Sequence, residues 1–231
     1  MQLYVYCLGD EVKADWVEGV VGVGGARPRL VERAGIRAVV SEYGDEKIGV
    51  TRENVLAHER VVRRVLAETT PLPFRFGTIV SEARLAEFLD SGQAKLKEQL
   101  ARVRGAVEMS VKIIRQQEAS AAGCEEEETA GGAGTKFLLR KRRELLGAGE
   151  GAERAAEVEA WLGRALKDSV RESRVSLRPS ENLLLAAAHL VERARLADYR
   201  AALDCAKTER PELHFLTSGA WPPYSFTRVD P

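Results

Sequence analysis

Three histidines (His58, His189, His214) and three cysteines (Cys7, Cys124, Cys205) are the side chains here best suited to metal or nucleophilic chemistry, and their spacing suits neither. Zinc sites hold ligands in pairs such as C-x-x-C or H-E-x-x-H, which place two donors on one turn or one helix face. His58-Glu59 lacks the second histidine, and the cysteines lie far apart in odd number, so they read as reduced thiols, Cys7 on a strand and Cys205 on a helix. Gly22, Gly24 and Gly25 could cradle a phosphate, but there is no G-x-x-x-x-G-K-[ST], and Pro28 with a strand follows where a helix amino terminus is needed. No G-x-S-x-G elbow is present, and the carboxylates keep helical i,i+3 and i,i+4 company with Arg and Lys, as solvated faces do. Neither a metal nor a cofactor is expected. The catalytic alternative is Arg75 with a carboxylate acting on a small anion in an inter-domain cleft, without a nucleophile or cofactor loop beside it.

Two segments concentrate residue types suited to recognition. In Pro71-Leu72-Pro73-Phe74-Arg75-Phe76-Gly77-Thr78 two prolines stiffen the backbone, two aromatics flank a charge, and Gly77 permits an unusual dihedral. The plainer reading is a strand entering the core with Arg75 at its edge. In Ser218-Gly219-Ala220-Trp221-Pro222-Pro223-Tyr224-Ser225-Phe226 three aromatics and a stiff Pro-Pro stand where a terminus ordinarily frays. Such a tail either folds back onto its own domain or offers its aromatics to a partner. Pro73, Arg75, Phe76, Gly77, Trp221, Pro222, Pro223, Tyr224 and Phe226 are therefore the candidate interface residues, with burial as fold determinants the competing reading.

The elements that must position them follow from periodicity. Leu3–Leu8 is β-rich, and Arg29–Ala34 with Ile36–Glu42 form two short strands around a turn at Gly35. Thr51 or Asn54 caps a helix whose apolar positions are Val55, Leu56, His58, Val61, Val62, Val65 and Leu66, ending before Pro71. Ser81 caps a short helix over Glu82–Leu89, a second helical stretch runs Gln93–Arg104, and Ala106–Arg115 alternates as a strand with Glu108, Ser110 and Lys112 on its polar side. That order predicts an α+β first domain over 1–118, a ferredoxin-like antiparallel sheet with helices on one face.

Residues 119–135, with Glu125–Glu128 among glycines and alanines, cannot bury enough apolar surface to offset ordering entropy, and read as a flexible acidic linker or the tip of an insertion. The run is a solvated spacer, with an acidic docking tail or a weak cation site as the alternatives. Residues 136–231 form a second, smaller domain of helices and strands. Lys136–Arg174 is helical with Phe137, Leu138, Leu145, Val158, Trp161, Leu162, Leu166 and Val170 as buried positions, broken near Gly147–Gly151. Leu183–Val191 fits a buried strand or a helix, Arg193–Lys207 is a helix, and Leu213–Thr217 a closing strand.

Lys plus Arg equals Asp plus Glu at 35 each, so no net field draws the chain to nucleic acid or an anionic membrane. No secretory leader and no apolar run of membrane-spanning length is present, so a cytoplasmic protein is expected.

The two segments, in this order, resemble the gas vesicle proteins of the GvpF/GvpL family, which carry P-x-R-F-G-T after an H-x-x-V-V helix and end in G-P-W-P-P-Y-S-F. The counterparts are His58 with Val61 and Val62, Pro73–Thr78, and Gly219–Phe226. Tyr4 and Tyr6 on the opening strand, and the stretch from Gly105 through Glu108 to Lys112, extend the resemblance over nearly the whole chain. Ala220 replaces the family's proline, and Leu183–Val191 is richer in alanine than its counterpart. The resemblance implies a two-domain protein, ferredoxin-like at the amino end with a smaller α/β, ferredoxin-like variant carrying additional helices over 136–231, that acts as a non-enzymatic assembly or accessory protein, associated with gas vesicles, and binds the small hydrophobic shell protein GvpA and other Gvp accessory proteins. A minor structural component retained in the shell is the alternative.

Overall fold

β1 (Gln2–Gly9) is buried along nearly its whole length, so an apolar opening segment becomes the central strand of a five-stranded antiparallel sheet. The computed structural model describes residues 2–44, 47–115, 152–176 and 183–231. β2 (Arg29–Arg33) and β3 (Ile36–Tyr43) form the expected hairpin, with Ala34 and Gly35 at φ 53° and 72° in its two-residue turn. β3 pairs with β1 from Gln2↔Tyr43 to Gly9↔Arg37, with a register shift between Val5 and Cys7. On the other side of β1 sit β4 (Leu72–Pro73), opposite Leu8 and Cys7, and β5 (Ile79–Ser81), opposite Gln2 to Tyr4.

α1 (Arg52–Glu68) starts where Thr51 Oγ1 accepts from the Asn54 N–H, as the capping pattern predicts. Ala57, His58, Val61, Val62, Val65 and Leu66 are its buried face, but Val55 and Leu56 are 40% and 48% exposed. They are the fourth and fifth residues of the helix and precede its first buried position, Ala57. At the other end the Arg193 guanidinium donates to the Leu66 carbonyl, satisfying an end that lacks intrahelical partners. α2 (Glu82–Val103) is one helix, not two: Ser81 caps it through the Arg84 N–H, and Gly92 is carried through because Leu89 and Leu96 on either side are buried. Two buried leucines outweigh the ~1 kcal/mol helix cost of a glycine.

The second sheet has the order β7-β8-β6-β9, formed by β6 (Ala106–Arg115), β7 (Glu172–Ser176), β8 (Leu183–Glu192) and β9 (Leu213–Trp221). β6 therefore pairs outside the β1 sheet, and Glu172–Ser176, read from sequence as partly helical, is an edge strand. β8 resolves the ambiguous Leu183–Val191 segment as strand. Residues 152–165 are helical (α3) and bury Val158, Trp161 and Leu162; α4 (Leu196–Glu209) buries Tyr199, Leu203 and Ala206. Among the described residues the fold is α+β, with two antiparallel sheets and four α-helices.

The chain divides into two compact units: Met1–Met109 with Leu190–Ala194 and Gly219–Pro231, and Ser110–His189 with Arg195–Ser218. The aromatic tail, which the division at 118 leaves with residues 136–231, thus groups with the first unit. The 119–135 segment, Cys124, Glu125–Glu128, Phe137, Leu138 and Leu145 lie outside the described residues.

Candidate functional site

His58 lies one helical turn before Val61 and Val62, so the apolar stripe that seats α1 also carries this imidazole inward, to 4% exposure. Tyr4 and Tyr6 stand two apart on β1 and share the face it meets. The Tyr4 hydroxyl is 2.9 Å from His58 Nδ1, and the Tyr6 ring stacks on the imidazole at 5.7 Å. Tyr4 also accepts from the Gly77 N–H at 3.1 Å. Its own proton therefore has Nδ1 as acceptor among the described residues, which leaves Nε2 protonated. Burial holds His58 at about 4, against a weaker opposing effect from the Phe74 backbone, and pushes both phenols up. At neutral pH the chain is a neutral imidazole between neutral phenols.

The first candidate segment is an excursion from the β1 ladder. Phe74 N–H donates to the Tyr6 carbonyl and Val5 N–H to the Thr78 carbonyl, so Arg75–Gly77 bridges the gap between β4 and β5. Gly77 takes φ 90°, the left-handed region that glycine enters without a Cβ penalty. Arg75 and Gly77 are exposed, Pro73 is buried, and half-buried Phe76 packs 6.0 Å from His58 and 6.3 Å from Tyr4.

The carboxyl segment folds back. β9 runs to Trp221, beyond the Thr217 end expected, and Pro222–Phe226 closes a turn through the Tyr224 N–H on the Pro222 carbonyl and the Phe226 N–H on that of Pro223. Pro222, Pro223 and Phe226 are buried. The Tyr224 hydroxyl meets His58 Nε2 at 3.2 Å, so residues 166 positions apart complete the Tyr4-His58-Tyr224 chain. Burial raises the Tyr224 phenol too. Glu108 accepts from both the N–H and the hydroxyl of Ser225 at 2.7 Å, and Arg102 donates to the Phe226 carbonyl. Half-buried Trp221 lies under the Arg63 guanidinium at 5.1 Å.

The two segments are thus brought together around His58, their prolines and Phe226 inside and Arg75, Phe76, Gly77, Trp221 and Tyr224 reaching the surface. Glu108 is the residue that sequence reasoning misplaces. Alternation assigns it to the solvent side of β6, yet it is 7% exposed because Ser225 covers it. A carboxylate at mid-strand was the available signal. Among the described residues no group of three His, Cys, Asp or Glu could hold a metal ion, and no helix is long and apolar enough to cross a membrane.

A family model described as gas vesicle synthesis protein GvpL/GvpF matches residues 2–228. Gas vesicle protein L of a Streptomyces species is 29% identical over 251 residues, covering 98% of this chain and 92% of that protein. Gas vesicle protein F1 of Halobacterium salinarum is 26% identical, covering 98% and 93%. The crystal structure of GvpF from Anabaena superposes with a TM-score of 0.77 at 20% identity, covering 99% of this chain and 97% of that one. GvpF from Microcystis aeruginosa gives 0.75 at 18%, covering 99% of each. These two show the shared fold.

Proposed function

The chain belongs to the GvpL/GvpF family of gas vesicle proteins, and on that premise we propose that it is a cytoplasmic, non-enzymatic assembly protein that binds the hydrophobic shell protein GvpA and other Gvp accessory proteins. One observation carries the reading: the two aromatic segments are pinned together around His58 and leave an arginine and three aromatic rings partly exposed on one unit. A shell subunit rich in apolar surface needs reversible cover before it polymerises. Aromatic rings on a rigid support suit that task, because they lose little side-chain freedom on contact, and a guanidinium adds an adaptable polar contact beside them. The perturbed groups support a structural role. Phenols held up and an imidazole held down leave no proton to exchange near neutrality.

The test is co-purification of the chain with GvpA from cells expressing both, with and without the other Gvp accessory proteins, against an unrelated hydrophobic protein. Selective capture of GvpA is expected. Trp221→Ala and Arg75→Ala should weaken capture while the melting temperature stays at the wild-type value. Absence of any selective association would overturn the reading, and binding lost only together with a large fall in melting temperature would return both residues to fold determinants.

A further inference from the structure

His189 of β8 is 3% exposed and belongs to a part of the chain that the gas vesicle motifs do not include. Its Nδ1 lies 2.8 Å from the Tyr199 hydroxyl, and Tyr199 is fully buried, so the phenol proton has Nδ1 as its acceptor. Nε2–H then has no hydrogen-bond partner among the described residues. This donor is open to solvent rather than sealed in the core, so an acceptor on a ligand can take the place of water.

The imidazole forms part of the wall of an open cavity of about 370 Å³ within the second unit, a volume in the range of small-ligand sites. α3 contributes Ala156, Ala160 and Gly163, β7 contributes Val175, and β8 contributes Leu185. The space exists because the helix flank facing the strands carries methyl groups and a hydrogen where larger side chains would fill it. Glu159 and Ser173 are its other polar members. The Glu159 carboxylate disfavours an anion, and a neutral imidazole adds no positive charge to counter it; burial holds His189 at about 4.

We propose that this cavity binds an aliphatic group carrying a neutral carbonyl oxygen, the aliphatic part against Ala156, Ala160, Val175 and Leu185 and the oxygen accepting from His189 Nε2. Either a small amide or an apolar peptide segment supplies that chemistry. The cavity is lined by residues of the second unit and shares none with the His58 surface, so the proposal survives or fails independently of GvpA binding.

The experiment is NMR of the full chain labelled with 15N-histidine, titrated with N-acetyl-leucinamide and, separately, with an end-capped neutral alanine-leucine peptide. The His189 signals should move saturably while those of His58 and His214 stay. A response to the amide alone identifies a small ligand, and to the peptide alone a protein segment; either supports the site. N-acetyl-leucine, the same side chain with a carboxylate, should bind more weakly than its amide. Ala160→Leu fills the cavity from an exposed helix position, so the fold is kept, and should weaken binding about tenfold or more. No saturable shift with either probe, or a shift that persists unchanged in Ala160→Leu, overturns the proposal.

Discussion

Replacing Glu108 by Gln tests whether polar contacts pin the carboxyl tail. The carboxylate accepts two hydrogen bonds from Ser225, one from the backbone N–H and one from the hydroxyl, both at 2.7 Å. Bonds to a charged acceptor contribute about 1.5–3 kcal/mol each. Glutamine keeps the volume and one acceptor oxygen, and presents an NH2 to whichever Ser225 donor the other oxygen served. The hydroxyl can rotate to accept from that NH2, but the charge assistance is lost from both bonds, so a cost of about 2 kcal/mol falls on closure of the tail. Because the tail is a terminal segment, the loss should appear first as local opening, which native-state hydrogen exchange reads directly. The Ser225 amide should exchange about 30-fold faster in Glu108→Gln, 2 kcal/mol being a factor of roughly 30 in an equilibrium. Amides of β3, such as that of Val39, should be unchanged. Exchange at Ser225 within threefold of wild type would refute the reasoning, since the tail would then be held by its other contacts, the His58–Tyr224 and Arg102–Phe226 bonds and the buried prolines, without need of Glu108.

Two further outcomes follow from the same geometry. His58 and His189 are each held at about 4 against an ordinary 6.5. Between those values the unfolded chain binds a proton that the folded chain refuses, so stability present above about pH 6.5 is lost as pH falls towards 4, by at most about 3 kcal/mol per histidine; urea midpoints that do not fall between pH 7 and 4.5 would contradict this. Gly219 has φ 129°, and a Cβ there would stand 2.8 Å from the Glu108 carbonyl oxygen and 2.7 Å from Met109 Sδ. Gly219→Ala should therefore lower stability by about 2 kcal/mol or more, while Gly49→Ala, where the nearest side-chain atom is 3.8 Å away, should stay within about 1 kcal/mol by thermal melting.

Local signals were sufficient wherever a few neighbouring residues decide the outcome. The Thr51 and Ser81 caps, the hairpin turn at Gly35, the strand at Leu3–Leu8 and the buried stripe Val61, Val62, Val65 of α1 were all legible, because capping, positive φ and side-chain periodicity are properties of a handful of consecutive residues. So were the two segments that mark the family, since prolines, glycines and aromatics at fixed spacing are visible without coordinates.

The sequence left the fates of those segments open, and contacts between residues far apart in the chain divided them. Whether Trp221–Phe226 folds back or stands free depends on Glu108, Arg102 and His58, none nearer than 117 positions in the bonds they make. Periodicity likewise could not separate strand from helix at Leu183–Val191, because an apolar run buried on both sides has no polar face to set a period, and pairing within the β7-β8-β6-β9 sheet decided it. Glu108 is the sharpest case. Alternation on β6 gives it a solvent-facing position, and only the return of the tail turns that position into an interior one where a carboxylate is satisfied by Ser225. Hydrogen-bond partners so distant leave no periodic trace, so the sequence determined the motifs and those elements that have a clear period or cap, and the tertiary structure determined the remaining elements and which polar groups face inward.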